Sequence, residues 1–314
     1  MKIIVIGTGY VGLVHAAVCS EYGHDVIAHD IDKDKIEAFS TGQPEPIEKY
    51  VNEPGLVNII RETLNKSLHF SHDLPAIIEG TDAIFMCLPT PSNIDGSTNL
   101  TFYDAAAEFI AEVLAKRKDN RRVVLVNKST VPIGTARHLE NIMKSHGVEN
   151  FGVASNPEFL AEGTAVADAR RPHRVVVGCD SDEDFNILRR VYSQFVHHVR
   201  IKYIETTPET AEAIKYVANT LLLTYISIWN GVRAKIGERM PNVNIDDLRL
   251  GVTSDDRIST WGSFVSNGAG GSCFGKDIAS LIYQLRRVNE STKKLEASNA
   301  VSYTHLRAHE TPTL

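Results

Sequence analysis

The sequence predicts an α/β fold: a doubly wound parallel sheet followed by a helical module with one long central helix. Through roughly the first 200 residues, short Val- and Ile-rich runs alternate with amphipathic helical stretches, which is typical of βαβ units. A glycine-rich turn follows the first run, and a long helical pattern starts near Pro208. We therefore predict a sheet domain over residues 1–203 and a helical region over residues 204–301.

The strand and helix predictions follow the apolar periodicity of each run. Buried strands are predicted at KIIVIG, DVIAHD, DAIFMCL, RVVLVNK, FGVASN and RVVVGC. Helices are predicted at YVGLVHAAVCSEYG, LVNIIRETLNK, YDAAAEFIAEVLAKRK, TARHLENIMKSHG, NIDDLRLG and DIASLIYQLRRV, and SNIDGSTNLTF reads as a surface loop. The longest helical run covers residues 209–240, with Pro208 in its first turn and Thr207 as the N-cap.

Composition limits the class of protein. The chain has 314 residues, a net charge of −6 and 43% hydrophobic residues. That charge gives no electrostatic reason to expect a nucleic acid or an anionic membrane as partner. Apolar stretches stay well short of the roughly 20 residues of a membrane span, and the N-terminus does not read as a signal peptide. The cysteines are scattered without CxxC spacing, so we expect reduced thiols, a cytoplasmic protein and no metal site.

The turn GTGYVG has the G-x-G-x-x-G spacing of a Rossmann-type dinucleotide site. Gly7 permits the tight turn, Gly9 lets the backbone approach a pyrophosphate, and Gly12 lets the helix pack on the strand. The helix that opens with Tyr10 and Val11 directs its N-terminal dipole toward the diphosphate. The turn follows a predicted strand and begins a helix, as this motif requires.

Polar residues follow three of the predicted strands. Asp30 ends the second strand, where a carboxylate accepts hydrogen bonds from the ribose hydroxyls and repels a 2′-phosphate, so NAD is preferred to NADP. Thr90 in LPTP and Ser129 and Thr130 in NKST follow two other strands. Ligands lie at the carboxyl ends of parallel strands, so these hydroxyls could face the cofactor. Each is equally compatible with a helix cap or a turn.

One cysteine stands in unusual surroundings. Cys273 lies in SNGAGGSCFGKD, next to Gly270 and Gly271 and shortly before Lys276 and Asp277. The glycines allow close substrate approach. A helix beginning near the thiol, together with the lysine, would favour the reactive thiolate and could bring the aspartate toward the same space.

Two pairs of polar residues have helical spacing. Lys215 and Asn219 lie four residues apart in an apolar helix, where an unpaired ammonium would be costly to bury; snorkelling is the alternative. Glu158 and Glu162 have the same spacing in ASNPEFLAEG, so a helical turn would put them on one face. They could equally be a solvated acidic pair.

Taken together, these motifs resemble the UDP-glucose/GDP-mannose dehydrogenase family over about residues 1 to 300: GTGYVG, CLPTP, KSTVPIGT, NPEFLAEGTA, the Lys215/Asn219 helix and GGSCFGKD. The resemblance implies NAD-dependent, two-step oxidation of a nucleotide-sugar alcohol to a carboxylate. NPEFLAEGTA followed by RPHRVVVG favours UDP-glucose, with GDP-mannose and UDP-N-acetylhexosamines left open. Ala269 and Gly275 replace the family's usual aromatic and proline, which bears on sugar specificity.

The resemblance also implies the roles of individual residues. Cys273 would attack the aldehyde and carry a thiohemiacetal and then a thioester. Lys215 would stabilise the oxyanion, Asn219 would hold the same oxygen, and Asp277 would orient or activate water. The remaining implied positions are Glu162 and Thr130 for water, Glu158 and Lys276 for cofactor or substrate, Lys35 for cofactor, Phe159, Leu160 and Gly270 for substrate, and Arg257 for a neighbouring subunit's substrate site.

Three expectations concern the assembly. The resemblance implies a homodimer built on the long helix. Nothing after about residue 300 corresponds to the family's second Rossmann-like domain, and residues 302–314 (SYTHLRAHETPTL) read as a non-native tail. We therefore expect a truncated enzyme, and whether this chain is active is left open. Two readings from other classes are a β-hydroxyacid dehydrogenase, which needs no thiol, and a dimer that binds NAD without turnover.

Overall fold

The computed structural model describes residues 1–264 and 273–300, and it confirms the α/β fold. The predicted substrate contact Gly270 and the predicted tail 302–314 lie outside these residues. The described strands are β1 (Lys2–Ile6), β2 (Asp25–His29), β3 (Leu68–Ser71), β4 (Ala83–Met86), β5 (Val123–Asn127), β6 (Phe151–Ser155), β7 (Arg174–Gly178) and β8 (Lys202–Thr206).

The helices agree with the predicted ones and add short ones between them. They are α1 (Tyr10–Glu21), α2 (Lys33–Ser40), α3 (Pro44–Glu48), α4 (Leu56–Thr63), α5 (Leu74–Ile77), α6 (Thr101–Ala115), α7 (Thr135–Ser145), α8 (Ala165–Arg170), α9 (Asp182–Val191), α10 (Ser193–Val196), α11 (Pro208–Ile228), α12 (Ala234–Arg239), α13 (Ile245–Thr253) and α14 (Cys273–Arg287). Among the described residues, none of the helices is both long and apolar enough to cross a membrane.

The sheet has the order β3-β2-β1-β4-β5-β6-β7-β8. Strands β1 to β6 are parallel and follow the 3-2-1-4-5-6 order of a Rossmann domain. The prediction of a parallel sheet fails at one place, because β7 pairs antiparallel with β6 through Ser155 and Gly178. Strands β7 and β8 are parallel to each other. Strand direction depends on the crossover path, which apolar periodicity does not encode.

The two faces of the sheet carry separate cores. Alternate residues of β1 divide between them: Ile3 and Val5 join one buried cluster, and Ile4 and Ile6 join the other. This is the period-2 geometry of a strand covered on both sides. Complete burial of each such side chain contributes roughly 1.5–3 kcal/mol to the stability of the fold. Most of the apolar burial that fixes the strand ends therefore lies in the sheet itself.

The chain divides into two compact units. The sheet unit comprises Met1–Thr90 and Leu100–Lys215, and the helical unit comprises Pro91–Asn99 and Tyr216–Leu314. The predicted domain boundary at residues 203 and 204 stays a prediction. Segment Pro91–Asn99, from the predicted surface loop, belongs with the helical unit, where Thr98 Oγ1 lies 2.8 Å from Ser280 Oγ on α14.

The long helical run is interrupted once. Helix α11 begins at Pro208, and the Thr210 amide donates to Thr207 Oγ1 over 3.3 Å, so the predicted N-cap is confirmed. After Ile228 the run passes through a π-helical turn, Trp229–Arg233, before α12. The buried Arg233 donates from this turn to the Ser263 carbonyl over 3.0 Å. Side-chain anchoring of this kind accompanies many departures from α-helical geometry.

Candidate functional site

The glycine turn has the backbone geometry that the motif requires. Gly7 has φ +91°, and a Cβ there would lie 2.4 Å from the carbonyl oxygen of Cys87. A Cβ on Gly12 would lie 1.8 Å from the Gly7 carbonyl oxygen. A Cβ on Gly9 would meet no described atom within 4 Å. Packing thus explains Gly7 and Gly12, and the surface above Gly9 is open to close approach by a diphosphate.

The carboxylate of Asp30 is held in place beside this turn. Its Oδ2 accepts the Thr8 amide and the Thr8 hydroxyl, both over 2.8 Å, and its Oδ1 accepts the Asp32 amide over 3.1 Å. Lys35 Nζ lies 3.7 Å from Oδ2. Burial alone would raise the pKa of Asp30, but these hydrogen bonds and the lysine outweigh it and lower the pKa. The carboxylate is therefore ionised and oriented at neutral pH.

A buried carboxylate that the sequence analysis missed fastens the start of α1. Glu53 is 4% exposed, and it accepts the Tyr10 hydroxyl, the Gly163 amide over 2.9 Å and the Val166 amide over 3.3 Å. Burial and the bond to Glu53 raise the pKa of Tyr10, so its hydroxyl stays protonated as a donor. No periodicity marks Glu53, which precedes a Pro-Gly turn.

The polar residues after β4 and β5 join the two strand ends. Ser129 Oγ accepts the Leu88 amide over 2.7 Å and lies 2.8 Å from the Leu88 carbonyl oxygen. The Thr90 hydroxyl donates to the Thr130 carbonyl over 2.9 Å. These hydroxyls hold the loop at the edge of the sheet where a ligand would lie. A turn role and a contact with the cofactor, the two alternatives from the sequence, therefore both remain open.

Lys215 and Glu158 form a buried ion pair in the sheet unit. The ammonium lies 2.8 Å from Glu158 Oε1, and the two residues are 4% and 9% exposed. Glu158 Oε2 accepts the Leu160 amide over 2.6 Å, and the Phe159 ring centroid lies 5.5 Å from Lys215 Nζ and 3.8 Å from the Arg174 guanidinium. Lys215 does not snorkel: it is paired, as burial of an ammonium requires.

The loop after β6 corrects one expectation. Residues 156–161 are irregular and residues 162–164 form a turn, so Glu158 and Glu162 do not share the face of a helical turn. Glu158 points into the protein, whereas Glu162 is exposed. The interior partner Lys215 draws only one of the two carboxylates inward, and spacing alone could not reveal that choice.

Two further buried ionisable residues flank this loop, and the sequence analysis missed both. Lys128 donates to Asn156 Oδ1 over 2.9 Å, and burial lowers its pKa. Glu212, one turn before Lys215 on α11, accepts the Gly134 and Ala136 amides over 2.7 and 2.9 Å. The sequence held a signal for each: Lys128 directly follows a predicted strand, and Glu212 lies on the same apolar helix face as Lys215.

The thiol region of the helical unit has a buried carboxylate one turn from Cys273. Helix α14 as described begins at Cys273, and the cysteine is exposed. Asp277 is 0% exposed, accepts Asn219 Nδ2 over 2.6 Å and lies 2.9 Å from Lys276 Nζ. The described helix thus includes Cys273, the condition under which the sequence could bring Asp277 toward the thiol, and Asn219 and Asp277 are in contact.

The other cysteines differ from Cys273. Cys19, Cys87 and Cys179 are buried. Burial raises the pKa of Cys19 and of Cys87 to about 12, and it raises the pKa of Cys179 as well. They are neutral thiols at physiological pH and read as core residues, whereas Cys273 is open to a reaction partner.

Arg257 lies at the surface of the helical unit. Its side chain is 88% exposed and makes an ion pair with Asp255 Oδ2 over 2.6 Å. The expectation that it reaches a neighbouring subunit stays a prediction.

Comparison with known proteins places both regions in one family. Residues 1–196 match the NAD binding domain, and residues 209–303 the central domain, of the UDP-glucose/GDP-mannose dehydrogenase family. The UDP-glucose 6-dehydrogenase TuaD of Bacillus subtilis is 38% identical over 299 residues, which cover 94% of this chain and 61% of TuaD. A Pseudomonas aeruginosa UDP-glucose 6-dehydrogenase is 36% identical over 96% of this chain and 65% of its own length.

Solved structures agree with the sequence relatives. A UDP-glucose dehydrogenase from the archaeon Pyrobaculum islandicum superposes with a TM-score of 0.87 at 30% identity, covering 96% of this chain and 68% of that one. The chain thus spans about two thirds of the length of these relatives. With the glycine turn, Asp30 and both family domains in agreement, the chain belongs to the UDP-glucose/GDP-mannose dehydrogenase family.

Proposed function

We propose that this protein is an NAD-dependent nucleotide-sugar 6-dehydrogenase that oxidises UDP-glucose to UDP-glucuronate. The proposal is supported by the similarity of the chain to UDP-glucose 6-dehydrogenases and by its match to both family domains. The observation that carries it is the buried Asp277 bound to Asn219 one turn after the exposed Cys273. A dehydrogenase that only converts an alcohol to a carbonyl needs no such thiol.

NAD fits the residues of the sheet unit. Gly7, Gly9 and the first amides of α1 would hold the diphosphate, and the ionised Asp30 would accept the adenosine ribose hydroxyls. When bound, NAD supplies a hydride acceptor. Lys35 lies beside Asp30 and would sit near the same ribose.

The first oxidation removes a hydride and a proton from the C6 alcohol. We assign the stabilisation of the developing oxygen charge to Lys215, because a buried ammonium that keeps hydrogen-bond donors is suited to this role. Asn219 is assigned to the same oxygen. Glu158 would tune Lys215 through the ion pair, and Phe159 and Leu160 would line the substrate path.

The second oxidation proceeds through Cys273. The thiolate sulfur bonds to the aldehyde carbon, and the carbonyl oxygen takes up a proton, which gives a thiohemiacetal. Loss of a second hydride and of that proton gives a thioester. Water then adds to the thioester carbon, the C–S bond breaks, and the carboxylate and the thiol are released. Each sugar thus consumes two NAD and one water.

The hydrolytic step needs a positioned water. We assign its activation to Asp277, with Thr130 and Glu162 as further water contacts and Lys276 as a cofactor or substrate contact. Lys276 Nζ lies 2.9 Å from Asp277 Oδ1, and a positioned carboxylate can accept a proton from water. Gly270 would contribute a backbone contact to the substrate.

The assembly is proposed to be a homodimer through the long helix. Val217, Leu221, Ile228 and Val232 recur at helical spacing and are 50–64% exposed, and a continuous exposed apolar face marks an interaction surface. We expect Leu221→Glu to convert the dimer to a monomer, and light scattering measures the change in mass. The matched Leu250→Glu, at an equally exposed leucine on α13, should leave the assembly unchanged. In the dimer, Arg257 would reach the partner's substrate.

The test is NADH release with UDP-glucose, GDP-mannose and a UDP-N-acetylhexosamine offered in parallel. We expect UDP-glucose to be preferred and two NADH to form per sugar. Cys273→Ser should reduce uronic acid formation at least about a hundredfold. One NADH per sugar and indifference to thiol alkylation would favour a β-hydroxyacid-type dehydrogenase. Calorimetric NAD binding without any NADH release would favour a non-catalytic NAD-binding role.

A further inference from the structure

A small cavity with several polar residues among its lining lies at the carboxyl ends of β5 and β6, within the sheet unit. Its lining includes Asn127, Thr130, Ser155, Glu212 and Lys215, and its volume is about 10 Å³. A cavity of roughly 10–15 Å³ on this measure has room for a single water molecule. Apolar cavities of this size stay dry, whereas polar ones hold ordered water, so the lining decides the content.

Asn127 brings an unused hydrogen-bonding group to this cavity. The residue is 1% exposed, and its Oδ1 accepts the Tyr103 hydroxyl over 2.6 Å. Within residues 1–264 and 273–300, its Nδ2 donates to no protein acceptor. Exchange of the amide nitrogen and oxygen would leave the oxygen unused instead. Such a buried group costs roughly 1–3 kcal/mol unless water satisfies it.

Glu212 offers an acceptor on the same cavity. Its Oε1 takes the Ala136 amide and the Ser155 hydroxyl, and its Oε2 takes the Gly134 amide. A carboxylate has about four acceptor positions, so one position on Oε2 remains. The side chain is 3% exposed, which excludes bulk water from that position.

Lys215 completes the lining from the same helix face. It follows Glu212 by three residues on α11, which puts the two side chains on adjacent turns of one face. Its ammonium carries three donors, and Glu158 takes one over 2.8 Å. Asn127, Glu212 and Lys215 thus all line one cavity of single-water size.

We propose that this cavity is a binding site for one ordered water molecule that links Asn127 and Glu212 to Lys215, and that Asn127 and Glu212 are thereby positioning residues for the lysine. The water accepts from Asn127 Nδ2 and Lys215 Nζ and donates to Glu212 Oε2. It satisfies the amide and gives the Lys215 ammonium a second partner besides Glu158. The positioning role rests on the proposed function of Lys215, whereas the water site does not.

The water site is tested by a crystal structure of the chain at a resolution where ordered waters are visible. We expect one water within hydrogen-bond distance of Asn127 Nδ2 and Glu212 Oε2. A dry cavity, or an Asn127 amide turned to a protein acceptor, would overturn the proposal. This measurement uses the unmodified protein and does not depend on turnover.

The positioning role is tested with Asn127→Leu, which keeps the side-chain volume and removes both amide groups. We expect kcat for UDP-glucose oxidation to fall about tenfold or more while the dissociation constant for NAD stays within about twofold. Asn186→Leu, at an exposed amide on α9, is the matched control and should leave both unchanged.

An unchanged kcat in a folded Asn127→Leu protein would contradict the positioning role. A parent chain that forms no NADH would count against the proposed function, and the crystallographic result would still decide the water site. A variant that fails to fold leaves that same crystallographic test in force.

Discussion

The two units of this protein bury their apolar side chains to very different extents. The sheet unit has two large clusters of buried residues, one on each face of the sheet. The described part of the helical unit has a small cluster of Leu223, Ile278 and Ile282. The helical unit also exposes Leu221, Leu250 and other large apolar side chains. The sheet unit is therefore stabilised by a large apolar core, whereas the apolar core found in the described part of the helical unit is small.

The proposed cofactor contacts and the thiol therefore lie on differently stabilised units. The proposed cofactor contacts stand at strand ends over a close-packed core, where positions are held to within small displacements. The thiol stands at the beginning of a helix that packs through a small cluster. We expect the cofactor half to be preorganised and the thiol half to depend more on assembly.

The largest effect should come from the core beneath the strand ends. Phe85 on β4 is 0% exposed, so Phe85→Ala should lower the free energy of unfolding by about 3–5 kcal/mol through lost burial and a cavity. Phe109→Ala, at a residue that is 42% exposed on α6, should change it by less than about 1 kcal/mol. Urea unfolding measures both. Equal losses would show that the sheet core does not dominate stability.

The next effect concerns the pH dependence of Glu212. Burial raises its pKa from 4.5 to about 7, against the hydrogen bonds from Gly134, Ala136 and Ser155. Between these values the unfolded chain loses the proton and the folded chain keeps it, so stability falls as pH rises. Relative to Glu212→Gln, wild-type stability should decline by at most about 3 kcal/mol from pH 4.5 to 7.

Neighbouring charges define the control for that experiment. Glu209 on the same helix raises the pKa of Glu212 and is itself paired with Arg137, while Tyr103 and Lys215 are the other ionisable neighbours. Arg137 lowers the pKa of Glu209, so its stabilisation is lost as pH falls. Stability differences for Glu209→Gln should therefore run in the opposite direction. The same slope for both variants would contradict the assignment.

A smaller effect is expected at the cofactor edge. Asp30→Asn should weaken NAD binding by roughly 1.5–3 kcal/mol, about tenfold to a hundredfold, because charge-assisted bonds to the ribose are lost. Discrimination against NADP should fall at the same time. Asp32→Asn is the control, since Asp32 caps α2 through the Asp34 amide. Calorimetry with both cofactors measures the change, and equal affinities for wild type and Asp30→Asn would refute the role.

The smallest effect is at the start of α11. Thr207→Ala removes the hydroxyl that accepts the Thr210 amide and should cost about 1 kcal/mol of unfolding free energy. Thr207→Ser keeps the hydroxyl and should restore most of the loss. A loss shared by both variants would mean that the methyl group, not the cap, was responsible.

The sequence was most informative where a residue's role depends on near neighbours. Strand and helix positions, the Thr207 cap and the glycine turn all follow from local periodicity or spacing, and the structure confirms them. The reversal at β7 and the short edge strands β3 and β8 were missed, because crossover direction and edge pairing depend on distant segments.

The site shows the same division. Gly7 and Asp30 could be identified from a sequence motif, and Lys215 from its position on an apolar helix face. The roles of Glu53 and Glu212 could not be identified in this way, because their hydrogen-bond partners lie about 80 to 110 residues away in the sequence. The inward turn of Glu158 and the outward position of Glu162 likewise depend on where Lys215 lies. Spacing identifies the candidates, and long-range pairing selects among them.

The long-range hydrogen bonds of Glu53 also limit which substitutions this position can accept during evolution. One carboxylate ties Tyr10, Gly163 and Val166, which belong to segments far apart in sequence. Replacing Glu53 with an apolar residue removes all three bonds at once, and no single change at Tyr10, Gly163 or Val166 could restore them. We therefore expect position 53 to change among relatives only together with the residues that it contacts. Nothing in the sequence next to Glu53 marks this constraint.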